Sequence, residues 1–321
     1  MHFAKSLPVA LLSFCLAGAV FAQYPDRPIR IVNPYAPGGT ADIVSRTIAT
    51  PLGQALGQPV VVENKGGAGG AVGTAEVARA AADGYTFAIS TVGSMVIIPA
   101  TMPRPGYSPS DFVPIMNIAA TPNIIAVHPS FPAKNAKEFL AVLKANPGKY
   151  SYASSGLGGI NHMLGESFQA LSGTELVHVP YRGSGPAVSD VIAGQVPILV
   201  DQLASSKTFI DAGKLRLIGV IAPKRLPEYP NVPTFDELGL KGFADQAWYG
   251  LIAPAKTPAP VIAKVSAALK QVLARPEVRA QLERAGAIPV GSSPAEYSAQ
   301  LKSELDAMRK LVQTRKIEMT Q

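Results

Sequence analysis

The sequence predicts an α/β protein in which mixed, mostly parallel sheets are flanked by helices and shared between two lobes. Short β-branched runs alternate with stretches of helical periodicity along the chain. Strand–helix–strand order requires crossover connections, and these favour parallel pairing. The alternation starts afresh after an apolar extended stretch at 117–127, so a second unit follows the first.

Residues 1–22 stand apart from the fold. Lys5 precedes an apolar run from Leu7 to Val20 that is too short to span a bilayer comfortably, and Val20-Phe21-Ala22 offers a signal-peptidase site. The pattern predicts a secretory signal peptide cleaved after Ala22, a mature chain starting at Gln23 and a periplasmic location. Phe14, ahead of Cys15, is not the small residue that a lipoprotein signal needs.

In the first unit, 29–32 reads as a strand. Residues 42–56 have helical spacing, with Ile43, Ile48, Leu52 and Leu56 apolar and Asp42 and Arg46 paired four apart. Residues 59–63 form a β-branched strand, 74–82 a helix of small residues and 85–90 a third strand. In the second unit, 137–145, 161–172 and 186–194 read as helices, and 150–153, 176–180, 197–201 and 215–221 as strands. A strand at 248–253 and helices at 260–273 and 294–310 complete the chain. The chain then crosses between lobes near Ala120-Thr121-Pro122 and again near Ala222-Pro223. Lobe 1 is expected to comprise 23–121 and 222–321, and lobe 2 to comprise 122–221.

Composition excludes several kinds of chemistry. The one cysteine, Cys15, lies in the leader, so the mature chain has neither disulfide nor thiolate. The formal net charge is +7, but charged residues make up only 16% and the basic ones are scattered, unlike the clustered stripe of a nucleic-acid surface. A modest positive balance could steer small anions, or simply mark a basic exported protein. In Gly66-Gly67-Ala68-Gly69-Gly70-Ala71-Val72-Gly73, Val72 stands where a dinucleotide fingerprint needs its third glycine. No P-loop, Gly-x-Ser-x-Gly elbow or His-Glu-x-x-His motif occurs, and His128, His162 and His178 have no close ligand spacing. No cofactor and no metal are expected.

Four strand ends share one chemistry. Tyr35-Ala36-Pro37-Gly38-Gly39-Thr40, 64–70, Ser90-Thr91-Val92-Gly93-Ser94 and 154–159 each follow an apolar strand with small, glycine-rich or hydroxyl residues and lead into a helix. Ligands of open α/β sheets bind at the carboxyl ends of strands, where helix N-termini offer unpaired N–H groups and a positive dipole end. Glycine lets the backbone approach a ligand. Each loop read alone is also an ordinary turn with a capping hydroxyl. His162 could donate to a ligand or pack within its lobe, whereas His178, in a strand, reads as structural. Asp201 ends a strand and could accept from a ligand or cap the next helix. Arg182 could clamp a carboxylate or stand free in its loop, and Trp248 and Tyr249 could line a cleft or pack a core.

Taken together, these residues resemble the Bug-type receptors, the periplasmic substrate-binding proteins of tripartite tricarboxylate transporters. The resemblance runs through YPDRPIRIVNPYAPGGTADIVSR, QPVVVENKGGAGGAVGTAEVARAAADGYT, YASSGLGGINHMLGESF, HVPYRGSGPAVSDVIAGQV, YPNVPTFDELGL and WYGLIAPAKTP, nearly the whole mature chain in order. It implies a two-lobed periplasmic binding protein, a Venus flytrap of type II, that encloses a small carboxylate. The ligand would be a di- or tricarboxylate, an acidic amino acid or an aromatic acid. It also implies membrane permease subunits as partners. We expect a monomer that binds no nucleic acid and is not an enzyme.

Carried onto this sequence, the first-lobe ligand positions are Tyr35, Pro37, Gly38, Gly39, Gly66, Gly67, Thr91 and Ser94. Those of the second lobe are Ser154, Ser155, Gly156, Gly158, Asn161, His162, Tyr181 and Asp201. Val200-Asp201-Gln202 departs from the Phe-Asp-Asn of many relatives. Leu157-Gly158-Gly159-Ile160 is more apolar than is usual there, which leans the pocket toward a ligand with some apolar body. The alternatives are a sensor that passes lobe closure to a signalling partner and an exported enzyme acting on small acids. The latter lacks an activated nucleophile, a metal cluster and an acid–base pair.

Overall fold

A computed structural model describes residues 24–241 and 246–315. The expected signal peptide lies outside them. The first unit begins with β1 (Ile29–Asn33), α1 (Thr40–Leu56), β2 (Val60–Asn64), α2 (Ala71–Ala78), β3 (Thr86–Thr91), the short α3 (Ile98–Thr101) and β4 (Phe112–Thr121). The second holds β5 (Asn123–Val127), α4 (Ala136–Lys144), β6 (Ser151–Ser154), α5 (Ile160–Ser172), β7 (Val177–Pro180), α6 (Ser184–Ile192), β8 (Ile198–Gln202), α7 (Leu203–Asp211) and β9 (Arg216–Ile221). The chain then returns to the first unit with β10 (Ala247–Pro254), α8 (Ala259–Ala274), α9 (Pro276–Arg284), β11 (Ile288–Pro289) and α10 (Pro294–Arg315).

Two sheets result, ordered β11-β4-β10-β3-β1-β2 and β7-β6-β8-β5-β9. Both are mixed. β1 pairs parallel with β2 and β3, and β6 pairs parallel with β7 and β8. The strands that carry the chain between sheets pair antiparallel: β10 with β3 and β4, β5 with β8 and β9. The parallel majority expected from strand–helix alternation therefore holds only inside the βαβ units. Strands entering from the other lobe need no crossover helix on their own sheet and insert antiparallel.

Alternation along the strands divides the side chains between layers. Ile29 and Ile31 of β1 pack with Val44, Ile48 and Leu52 of α1 and with Val265 and Leu269 of α8, whereas Val32 joins Ala71 and Ala75 of α2. α1 ends at Gly57, whose φ of 77° is the left-handed cap that lets its N–H reach Gly53 O at 2.9 Å. The second core gathers Phe139, Tyr152, Phe168, Ile198 and Val200.

The extended stretch at 117–127 is two strands of different sheets, split by Pro122. Proline has no N–H to give a ladder, and its carbonyl instead accepts from Leu203 N at 2.9 Å. The return expected at Ala222-Pro223 comes later. After β9 the chain folds back, with Val220 N donating to Pro233 O and Phe235 N to Val220 O, each at 3.1 Å. Phe235 and Leu240 are buried in the second core. Residues 222–240 therefore pack with the second sheet, because two of their apolar side chains find their burial there. The second crossing lies between Leu240 and Ala247.

A methyl group on Gly219 would stand 2.7 Å from Cζ of the Phe235 ring. Gly219→Ala is therefore expected to destabilise the protein by roughly 1–3 kcal/mol through overpacking, read by chemical denaturation. A change near zero would contradict the docking of 222–240 on β9.

Candidate functional site

The carboxyl ends of both sheets meet face to face. Between them lies a cavity of about 20 Å³, lined by Tyr35, Gly39, Thr40, Ala41 and Thr91 from one lobe and Ser155, Ile160, Ser184 and Gln202 from the other, with Trp248 and Tyr249 of β10. That volume holds about one water. Three helices start here, α1 after Gly39, α5 after Gly159 and α6 after Gly183, and none carries a side-chain cap. First-turn N–H groups have no acceptor within their own helix, and they concentrate the positive end of its dipole. The arrangement suits an anion, and it presents donors from both lobes.

Glycine permits the approach. Ala36 N donates to Arg182 O at 2.9 Å across the lobes. A Cβ on Gly66 would stand 2.7 Å from that same carbonyl, and one on Gly185 would collide with Pro37 O. At Gly39 a Cβ would come within 3.2 Å of Ser184 Cβ. The backbone of Gly39 is extended, with φ −85° and ψ 173°, so only the opposite lobe restricts this position.

Asp201 anchors the second-lobe side. Its fully buried carboxylate accepts from Ser184 Oγ at 2.5 Å and Asn161 Nδ2 at 3.1 Å on one oxygen, and from Ser205 Oγ at 2.6 Å and Ser206 Oγ at 3.0 Å on the other. These donors stand in the first turns of α6, α5 and α7. Burial pushes the Asp201 carboxyl above its ordinary range, against the pull of the serine hydroxyls. From the first lobe, Thr40 Oγ1 donates to Ser205 Oγ at 3.2 Å, which extends the network across the cleft.

Of the residues expected from sequence, Tyr35, Gly39, Thr91 and Ser155 line the cavity. Tyr35 is held there by its hydroxyl, 3.0 Å from Gly69 O and 2.8 Å from Thr91 Oγ1, and burial raises that hydroxyl to about 12. Pro37, Gly38, Gly66 and Gly156 are not among the lining residues and form contacts between the lobes. The others shape the loops. A side chain on Gly67 would meet Val72 in the first turn of α2. Ser94 Oγ accepts from Thr91 N at 3.0 Å. Ser154 Oγ is engaged by His178 Nε2 at 2.6 Å. His162 Nδ1 accepts from Gly158 N at 3.3 Å. Tyr181 donates away from the cleft, to Asp190 Oδ2 at 2.7 Å. Asn161 and Asp201 act through the buried network.

Thr40, Ile160 and Ser184, each the first residue of a helix after a glycine N-cap, were not among the expected ligand positions, although Ile160 was read as making the pocket more apolar. Reading a helix start directly after Gly39, Gly159 and Gly183 would have found them. Sequence reasoning also passed over Gln202 and left Trp248 and Tyr249 open, and nothing local in the sequence places these at a cleft. The Tyr249 hydroxyl hydrogen-bonds Thr40, and burial raises it well above its ordinary value.

A family model described as the tripartite tricarboxylate transporter family receptor matches residues 44–317. Protein BugT of Bordetella pertussis is 33% identical over 284 residues, 88% of this chain and 87% of BugT. The chain belongs to the Bug-type receptors of the tripartite tricarboxylate transporters. Among solved structures, the periplasmic binding protein BugD is similar with a TM-score of 0.88 at 36% identity, covering 92% of this chain and 99% of that one. An R. palustris protein solved with adipate gives 0.87 at 32% identity, with the same coverage.

Beneath the second-lobe loops of the receptor, His162 and His178 stack with ring centroids 4.1 Å apart, and Tyr152 stacks on His178 at 4.9 Å. Burial lowers both imidazoles. His178 falls to about 4, with repulsion from His162 adding to the burial, while Glu166 pulls His162 back up. Both are neutral at pH 7. Groups lowered on folding contribute stability above their unfolded value near 6.5, and that stability is lost as pH falls toward 4. The unfolding midpoint should therefore drop between pH 6.5 and 5, and His178→Gln should shrink the drop. An unchanged profile in the variant would show that this stack does not carry the dependence.

Proposed function

We propose that this receptor works in the periplasm, captures a small organic carboxylate between its lobes and hands it to the membrane subunits of its transporter. It acts as a monomer, without cofactor or catalysis. The convergence of three uncapped helix N-termini from two lobes on one cavity carries this reading. A carboxylate there accepts main-chain N–H bonds from α1 on one side and from α5 and α6 on the other. It thereby favours the closed arrangement by its differential affinity for it. The adipate bound to the R. palustris relative supports the choice of a carboxylate.

The chain passes from one lobe to the other at Pro122 and returns after Leu240, and parting of the lobes admits the ligand. Recognition by backbone amides fixes the anion and leaves the rest of the ligand to the side chains around it.

Titration calorimetry with a panel of mono-, di- and tricarboxylates tests this reading, and binding of none of them would overturn it. Gly39→Val is expected to weaken the best binder about tenfold or more, the equivalent of 1.4 kcal/mol against closure. Its melting temperature should stay close to that of the parent, because the clash exists only with Ser184 of the other lobe. Normal binding by this variant would reduce the loop to a turn.

A further inference from the structure

A second space, of about 850 Å³, opens between the lobes and shares Val92, Ile160 and Trp248 with the small cavity. α5 contributes Met163 and Leu164 to it, and α10 contributes Met308 and Leu311. Val290 and Leu311 on its wall are exposed, at 46% and 39%.

Four polar residues of this wall bond to one another. Trp248 Nε1 donates to Glu304 Oε2 at 2.8 Å, Gln300 Nε2 to Glu304 Oε1 at 2.9 Å, and Asn117 Nδ2 to Gln300 Oε1 at 3.0 Å. The acceptor left over, Asn117 Oδ1, is buried. What the groove offers a guest is therefore mostly apolar side chain, together with the negative charge of Glu304 and the neutral polar Ser167 and Gln246.

The cavity at the helix N-termini, about 20 Å³, is water-sized as it stands and has no room for the body of a ligand beyond its carboxylate end. The rest of a ligand has to lie elsewhere, and the shared wall at Val92, Ile160 and Trp248 leads to the groove. We infer that the ligand is a monocarboxylate with an extended apolar body, its carboxylate at the starts of α1, α5 and α6 and its body past Trp248 in the groove. The inference rests on the carboxylate-receptor reading above. Glu304, which fixes the Trp248 indole by its hydrogen bond, opposes a second carboxylate on the body.

Calorimetric titration with straight-chain acids from butanoate to decanoate, alongside octanedioate, tests it. Affinity should rise about fourfold per methylene until the groove is filled, and octanoate should bind at least tenfold more tightly than octanedioate. Met163→Glu, at a half-buried position, should weaken octanoate at least tenfold and leave butanoate within twofold, with Met163→Leu restoring octanoate. A series flat in chain length, octanedioate equal to octanoate, or equal losses for short and long acids in Met163→Glu would overturn the inference while leaving the carboxylate site in place. If no acid of any length binds, the proposed function falls and the inference falls with it.

Discussion

One buried carboxylate holds the second half of the cleft together. Asp201 sits where α5, α6 and α7 begin, and the positive ends of three helix dipoles would otherwise face one another there. Burying a carboxylate is unfavourable unless its oxygens are filled, and here four side-chain donors fill them. On α5 and α6 those donors are Asn161 and Ser184 side chains, not main-chain amides. The first-turn N–H groups therefore keep their capacity for a ligand. Thr40, reaching Ser205, joins the first lobe to the same network. Asp201 thus ties the starts of α5, α6 and α7 into one network, and in the proposed function it is a positioning residue for the carboxylate site.

Closure is the second constraint. The lobes meet backbone to backbone, at Ala36 against Arg182 and at Pro37 against Gly185. Side chains at Gly39 or Gly185 would hold them apart by meeting only the opposite lobe, whereas one at Gly66 would press on Ala36 N of its own lobe as well. Glycine on these loops thus has a purpose beyond the turn. It lets the backbones of the two lobes approach closely, as the proposed capture of a carboxylate between them requires.

Much of the fold was legible because its βαβ units are local. Strand 29–32, helix 42–56 and strand 59–63 are adjacent in sequence and in space, and their periodicity is enough to identify them. The chain's movement between sheets was harder to read. The first crossing was expected near Ala120-Thr121-Pro122, where β4 gives way to β5, but Phe235 carries 222–240 to the second sheet through packing that no local pattern reveals. α7 was missed because Leu203–Asp211 follows β8 without a loop and has little apolar periodicity. At the site, Tyr35, Gly39, Thr91 and Ser155 were identifiable from the glycine and hydroxyl residues at strand ends. Ser154, His162 and Tyr181 belong to the same loops, but their side chains bond within the lobe, and side-chain direction is set by tertiary partners. Trp248 and Tyr249 reach the cleft only because β10 inserts antiparallel between β3 and β4.

The most direct measurement is a crystal structure of the receptor with a bound short carboxylate such as butanoate. The carboxylate oxygens should lie within hydrogen-bond distance of main-chain amides at the start of α1 and at the start of α5 or α6, with Asp201 still bonded to Ser184 and Asn161. A carboxylate held instead by Arg182 or another exposed cation outside the cavity, with the three helix starts untouched, would contradict the account.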